Sequence, residues 1–235
     1  MKILGIDTAG RTLGIGVVCD GAVRGELVLG APRRASALLP GLIDEFLDHL
    51  DLALGDLDAV AVTLGPGSFT GLRIGAALVA GLCHGRRVVP VGVCSTEALV
   101  CSTSVPPGSY ALGALRAGRG AAFVALYRRE GDPGGGGHWI PVEVTPPQRC
   151  TTDEVRDLLA ETVPSGALVA WVADSDEVLP AVCGSAYGVV TEISPAVVAL
   201  IGWRKVQNGE VLAPEEVYPR YYRPSAAEMK REGEG

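Results

Sequence analysis

The chain has 235 residues, 48% of them hydrophobic and 20% charged, with a formal net charge of −7. That length can bury a sizeable core, and that composition excludes a disordered chain. The acidity and the lack of any long basic run argue against a protein that grips nucleic acid by itself, which would need clustered Lys and Arg to neutralise phosphates.

No apolar run is long enough to span a bilayer. The start, Met1 to Asp7, reaches an acid without a long apolar stretch, so no signal peptide is expected and a cytoplasmic location is. The six cysteines are scattered with no C-x-x-C pair, which fits reduced, mostly buried thiols.

Lys2 to Asp7 reads as a buried strand, and Leu13 to Cys19 and Ala22 to Leu29 as two more. Asp20-Gly21 between the latter two is a hairpin signal, because both turn positions need positive φ. Ser36 to Leu50 has helical periodicity, with Leu39, Leu42, Ile43, Phe46, Leu47 and Leu50 on one stripe and Ser36 as the expected N-cap. A strand at Asp58 to Leu64, a helix at Phe69 to Cys83, a strand at Arg87 to Val93 and a short helix from Thr96 to Cys101 follow.

Pro106-Pro107-Gly108 punctuates the chain and sets the expected division into units 1–105 and 106–235. Beyond it, strands are expected at Tyr110 to Leu115, Ala121 to Tyr127 and Trp139 to Val144, with the glycine-rich loop at 131–137 between the last two. A helix from Thr152 to about Ala160 and a strand at Ala167 to Ala173 come next. Ser194-Pro195 caps a last helix closed by Asn208-Gly209. The Pro- and Tyr-rich tail from Ala213 is expected to be extended and to pack on its own unit rather than stack on RNA. The element order runs twice, which suggests two similar α/β units, although no sequence repeat is visible.

The most informative stretch is Leu64-Gly65-Pro66-Gly67-Ser68-Phe69-Thr70-Gly71-Leu72-Arg73-Ile74-Gly75. It leaves a strand through a sharp turn and opens a helix. Gly67, Gly71 and Gly75 recur along one helical face, and each interior glycine costs roughly 1 kcal/mol relative to alanine. Two explanations fit: a close helix-helix approach, which the pattern favours, or an anion at the helix N-terminus.

This segment resembles the signature of the TsaB (YeaZ) family. The start Ile3-Leu4-Gly5-Ile6-Asp7-Thr8 is similar to that family's first strand and phosphate-loop remnant, and Pro214 to Tyr221 is similar to its ending. The resemblance implies an actin/hexokinase-like (ASKHA) α/β fold of two ribonuclease-H-like subdomains, each a mixed sheet with helices. It also implies a non-catalytic subunit that binds and activates a TsaD homologue, with a TsaE-type ATPase, to make threonylcarbamoyladenosine (t6A) in tRNA. The complex uses ATP, whereas no cofactor is expected for this chain alone. tRNA is contacted only through the complex, no membrane is involved, and a homodimer forms when the partner is absent. The implied interface is Leu39, Leu42, Ile43 and Phe46 on the first helix with Gly67, Ser68, Phe69, Gly71, Leu72, Arg73, Gly75 and Val79 on the second. Gly75→Leu is then expected to leave a folded monomer that no longer captures TsaD.

The chain departs from the family pattern where Arg33-Arg34-Ala35-Ser36 replaces a His-Ser/Thr-Gln, and where Leu115-Arg116-Ala117-Gly118 lacks an acid. Asp7 and Thr8 are candidates for serving a metal-nucleotide, against a plain turn-stabilising role for Asp7. A second phosphate loop is not evident. The three histidines make no His-x-x-x-His pair, so no metal site is expected, and Ser68 lacks the surroundings of a nucleophile. A small ASKHA ATPase or kinase is the alternative function, and a peptidase is disfavoured.

Overall fold

The computed structural model describes residues 1–30, 35–118, 120–130, 141–175, 178 and 187–222. The glycine loop at 131–137, the start of the strand expected at Trp139, Arg33-Arg34, Cys183 and Arg223 lie outside the described residues.

The first unit opens with β1 (Lys2–Asp7), β2 (Thr12–Cys19) and β3 (Ala22–Gly30), followed by α1 (Ala35–Asp48). It continues through β4 (Ala59–Gly65), α2 (Phe69–Cys83), β5 (Val89–Cys94) and α3 (Ser95–Cys101). Asp20 and Gly21 take φ of 50° and 79°, as the hairpin reading requires. Ser36 lies inside the first turn of α1 rather than capping it. The second unit holds β6 (Tyr110–Arg116), β7 (Ala121–Arg129), β8 (Pro141–Thr151), α4 (Thr152–Thr162), β9 (Val169–Ala173), β10 (Tyr187–Val190) and α5 (Pro195–Gln207). Thr151 and Glu154 form a capping box on α4. The Ser194 hydroxyl accepts from the Val197 amide at 3.3 Å at the start of α5, with Pro195 at the first helical position.

Both sheets have the same topology. The first runs β3-β2-β1-β4-β5 and the second β8-β7-β6-β9-β10. In each, the first three strands are antiparallel and the last two are added in parallel. This is the duplicated ASKHA architecture, and it is carried by strand order alone.

The layers explain why the strands read as continuous apolar runs. On the outer face of the first sheet, α1 and α2 cover Leu4, Ile6, Val60 and Val62. On the outer face of the second, α4 covers Leu112, Val124 and Trp171. A shared core lies between the two inner faces, with Ile3, Ala61 and Val91 on one side and Ala111, Leu115 and Tyr127 on the other. α3 packs on β6, while α5, from the second half of the chain, packs on β1, β2 and β4 of the first sheet. Glycines set that distance. A Cβ on Gly16 would lie 2.5 Å from the Ala196 amide nitrogen, and one on Gly5 would lie as close to Ala199. Where α3 meets α5, Arg204 pairs with Glu97 at 2.7 Å, and burial raises the Glu97 carboxyl above its usual range.

The five described cysteines are free. Among the described residues no helix is long and apolar enough to cross a membrane.

Candidate functional site: the α1/α2 face

β4 leaves the sheet through a cis Gly65-Pro66 bond. Gly65 has φ of 123°, a glycine-favoured conformation, and a Cβ there would lie 2.6 Å from the Arg220 carbonyl oxygen. The Arg220 amide in turn donates to the Leu64 carbonyl at 2.7 Å. The extended tail therefore packs across the mouth of β4, on the first unit rather than on the second unit it was expected to stay with. Ser68 caps α2, its hydroxyl accepting from the Gly71 amide at 3.3 Å.

The glycine stripe of α2 faces inward, which corrects the helix-helix reading. A Cβ on Gly71 would land on the Thr8 carbonyl oxygen, and one on Gly75 would sit 2.5 Å from the Thr8 hydroxyl and 3.2 Å from Val62. A Cβ on Gly67 would meet the Ala9 carbonyl oxygen at 2.6 Å. The close approach is thus between α2 and the β1–β2 loop of the same chain. Leu72 and Val79 share this inward side, and Leu39 and Ile43 of α1 are equally buried. Leu42 and Phe46 are half-buried, with the Phe46 ring beside Gly25 of β3, and Ser68 is exposed but occupied as the cap.

The neighbouring stripe of α2 faces outward. Thr70, Arg73 and Ala77 are exposed, and Ile74 and Leu78 are half-buried. Together with Phe69 and α1 they line an open groove of about 530 Å³, floored by Leu39 and flanked by Ser36. Phe69 is 52% exposed, unusual for a large apolar side chain at the rim of an otherwise apolar groove. The Arg73 guanidinium stacks 3.9 Å above the Phe69 ring centroid, and its Nε donates to the Tyr221 hydroxyl at 2.9 Å. Of the expected interface residues, Leu39, Phe69 and Arg73 line this groove. Thr70, Ile74, Ala77 and Leu78 were missed, although their i, i+3, i+4 spacing beside the glycine stripe was visible in the sequence.

Asp7 and Thr8 lie behind α2. Asp7 is 1% exposed, and its Oδ1 accepts from the Thr63 hydroxyl at 2.7 Å and the Ala9 amide at 3.1 Å, the second bond being an Asx turn. The Thr8 hydroxyl is buried against Gly75 and has no hydrogen-bond partner among the described residues. Neither side chain lines a groove or cavity described here. Among the described residues no group of three or more His, Cys, Asp or Glu could hold a metal ion. A second cavity of about 260 Å³ lies between β6, β7 and α4, and Arg116 is the one charged residue that lines it among the described residues.

Burial raises the Asp7 carboxyl to about 6. The native state therefore prefers the protonated acid, and the contribution of Asp7 to stability is greatest below the unfolded value near 4 and is lost as pH rises through 6. Asp7→Asn keeps an acceptor for Thr63 and Ala9 without the buried charge. It is expected to raise stability at pH 7.5 by up to ~3 kcal/mol, two pKa units' worth, and the gain should shrink towards zero at pH 4. Thermal melts at both pH values check this, and a loss of stability at pH 7.5 would refute it.

Comparisons with known proteins bear on this geometry. The family model described as TsaD, tRNA N6-adenosine threonylcarbamoyltransferase, matches residues 30–134, which include α1, α2 and the glycine signature. The tRNA threonylcarbamoyladenosine biosynthesis protein TsaB of Escherichia coli is 28% identical over 99% of this chain and 99% of its own length. The Bacillus subtilis protein of the same name is 31% identical over 54% of this chain and 56% of its own. The structure of YeaZ from Pseudomonas aeruginosa superposes with a TM-score of 0.74 over 94% of this chain and 99% of that one, at 19% identity, which speaks to fold alone. The duplicated sheets make this an ASKHA-fold protein, and its residues 30–134 are similar to the TsaD threonylcarbamoyltransferases. Within that class the chain is similar over nearly its whole length to the TsaB protein of Escherichia coli, and over about half of it to that of Bacillus subtilis, both named for t6A biosynthesis on tRNA.

Proposed function

We propose that this chain is a non-catalytic subunit of the t6A machinery that binds and activates a TsaD homologue through the α1/α2 groove. The observation that carries the reading is the groove itself. It is apolar, open and rimmed by an exposed phenylalanine, and it lies on the one face of the first sheet that helices cover without a further layer above them. The proposed contact comprises the groove residues Phe69, Thr70, Arg73, Ile74, Ala77 and Leu78, with Leu42 and Phe46 further along α1. The inward residues Gly67, Gly71, Leu72, Gly75 and Val79 support it from beneath.

A TsaE-type ATPase joins the complex, which consumes the ATP, and tRNA is reached through TsaD rather than by this acidic chain. Without its partner the chain dimerises through the same groove. The reading places it in the cytoplasm. Burial of Asp7 and Thr8 weighs against nucleotide chemistry by the chain itself.

Co-expression with the TsaD homologue of the same genome tests the reading. A complex stable through size-exclusion chromatography is expected, and failure of the two chains to associate at micromolar concentrations would count against it.

A further inference from the structure

The rim of the groove holds one cation in an unusual setting. One face of the Arg73 guanidinium covers Phe69, and Nε donates to Tyr221, a residue of the tail. Phe69 and Tyr221 stack at 5.4 Å between centroids, so three side chains form one cluster. Arg73 pairs with no carboxylate among the described residues. A guanidinium carries five donors in a planar fork. With Nε used and one face covered, the edge formed by Nη1 and Nη2 is left, and it matches the two oxygens of a carboxylate. Phe69 and Tyr221 are both 52% exposed, so the cluster stands at the surface, where an incoming protein would cover it.

We propose that Arg73 is a specificity-determining residue of this face, and that Tyr221 is the positioning residue that presents its fork to a carboxylate of the TsaD-type partner. The inference rests on the interface reading above. The partner then offers an apolar side chain to the groove and an acid beside it, complementing the cation on the rim of an acidic chain. Tyr221 comes from the tail, which the Arg220–Leu64 bond ties down 148 residues along the chain from Arg73. The tail is thereby part of the interface rather than a loose end.

The test measures affinity for the purified TsaD homologue, at low and high salt, for the full chain and five variants. Tyr221→Phe removes only the hydroxyl and is expected to weaken binding roughly fivefold, the worth of one ordinary hydrogen bond. Arg73→Gln removes the charge and is expected to weaken it on the order of thirtyfold or more and to flatten the salt dependence. Arg73→Lys keeps the charge without the fork and should fall between wild type and Arg73→Gln while retaining the salt dependence. The double variant should bind like Arg73→Gln alone, because Tyr221 acts through Arg73. Thermal transitions should stay within a few degrees of wild type. Wild-type binding by Tyr221→Phe, or full additivity in the double variant, would overturn the positioning role. Effects confined to self-association of this chain would overturn the assignment to a TsaD-type partner. Ala77→Arg in the groove separates the two ideas: if it abolishes capture while the Arg73 and Tyr221 variants do nothing, only this inference fails, and if it too does nothing, the interface reading fails with it.

Discussion

Gly71→Ala is expected to lower the stability of this chain by about 2 kcal/mol net, and Gly75→Leu to leave little folded protein at all. Overpacking typically costs ~1–3 kcal/mol when side chains can rearrange. At Gly71 the added Cβ meets the Thr8 backbone carbonyl, which cannot rotate away, so the upper end applies. The helix-propensity gain of alanine over glycine, about 1 kcal/mol, opposes this and is smaller. For a chain of this size the net loss corresponds to a fall of ~4–8 °C in the thermal midpoint. At Gly75 the first obstacle is a side chain, the Thr8 hydroxyl at 2.5 Å. Gly75→Ala should therefore be largely rescued by Thr8→Ala, and Gly75→Leu should not, since its further carbons run into Val62. Circular dichroism melts measure all of these. A Gly75→Leu chain with a wild-type melt and no partner capture would restore the reading in which the glycines touch another protein.

Ala77→Arg is the complementary change and is expected to do the reverse. Ala77 is exposed and mid-helix, and arginine is nearly as good a helix former as alanine, so the fold should be unaffected within ~0.5 kcal/mol. In the groove the long charged side chain fills space intended for a partner and cannot be desolvated cheaply. The expected loss of affinity for the TsaD homologue is a hundredfold or more, equivalent to ~2.7 kcal/mol. Unchanged capture by a stably folded Ala77→Arg chain would place the contact elsewhere. Together the two series separate a stripe that holds the chain together from the stripe beside it that faces outward.

The contrast between these stripes shows where the sequence was legible. Periodicity placed α2 at Phe69–Cys83, the residues it occupies. It could not say which side faced in, because glycine has no side chain to read as apolar or polar. Only the folded chain reveals that Thr8 and Ala9 fill the space. The first unit was otherwise readable to within a few residues, since its strands are continuous apolar runs bounded by turns.

The second unit was harder. β8 extends through Pro146-Pro147 to Thr151, beyond the end expected at Val144. It is the edge strand of its sheet, where proline costs no ladder bond on its open side, and its pairing with β7 shifts register near those residues. β10 was missed because four residues at the opposite edge leave too short a pattern. The coupling of Arg73 to Tyr221 had no sequence signal, since it joins a helix to a tail through tertiary structure alone. Asp7 was read both ways, and its two short hydrogen bonds and near-complete burial favour the turn-stabilising role.

On the proposed reading, this chain enables another subunit's chemistry without performing it. Reconstitution tests it most directly. The TsaD and TsaE homologues of the same genome are incubated with tRNA, ATP and the threonylcarbamoyl donor, with and without this chain, and t6A is quantified by mass spectrometry. The account predicts modified adenosine only when this chain is present, and none from this chain with the donor alone. Modification by this chain in the absence of TsaD, or equal turnover by TsaD and TsaE without it, would contradict the account.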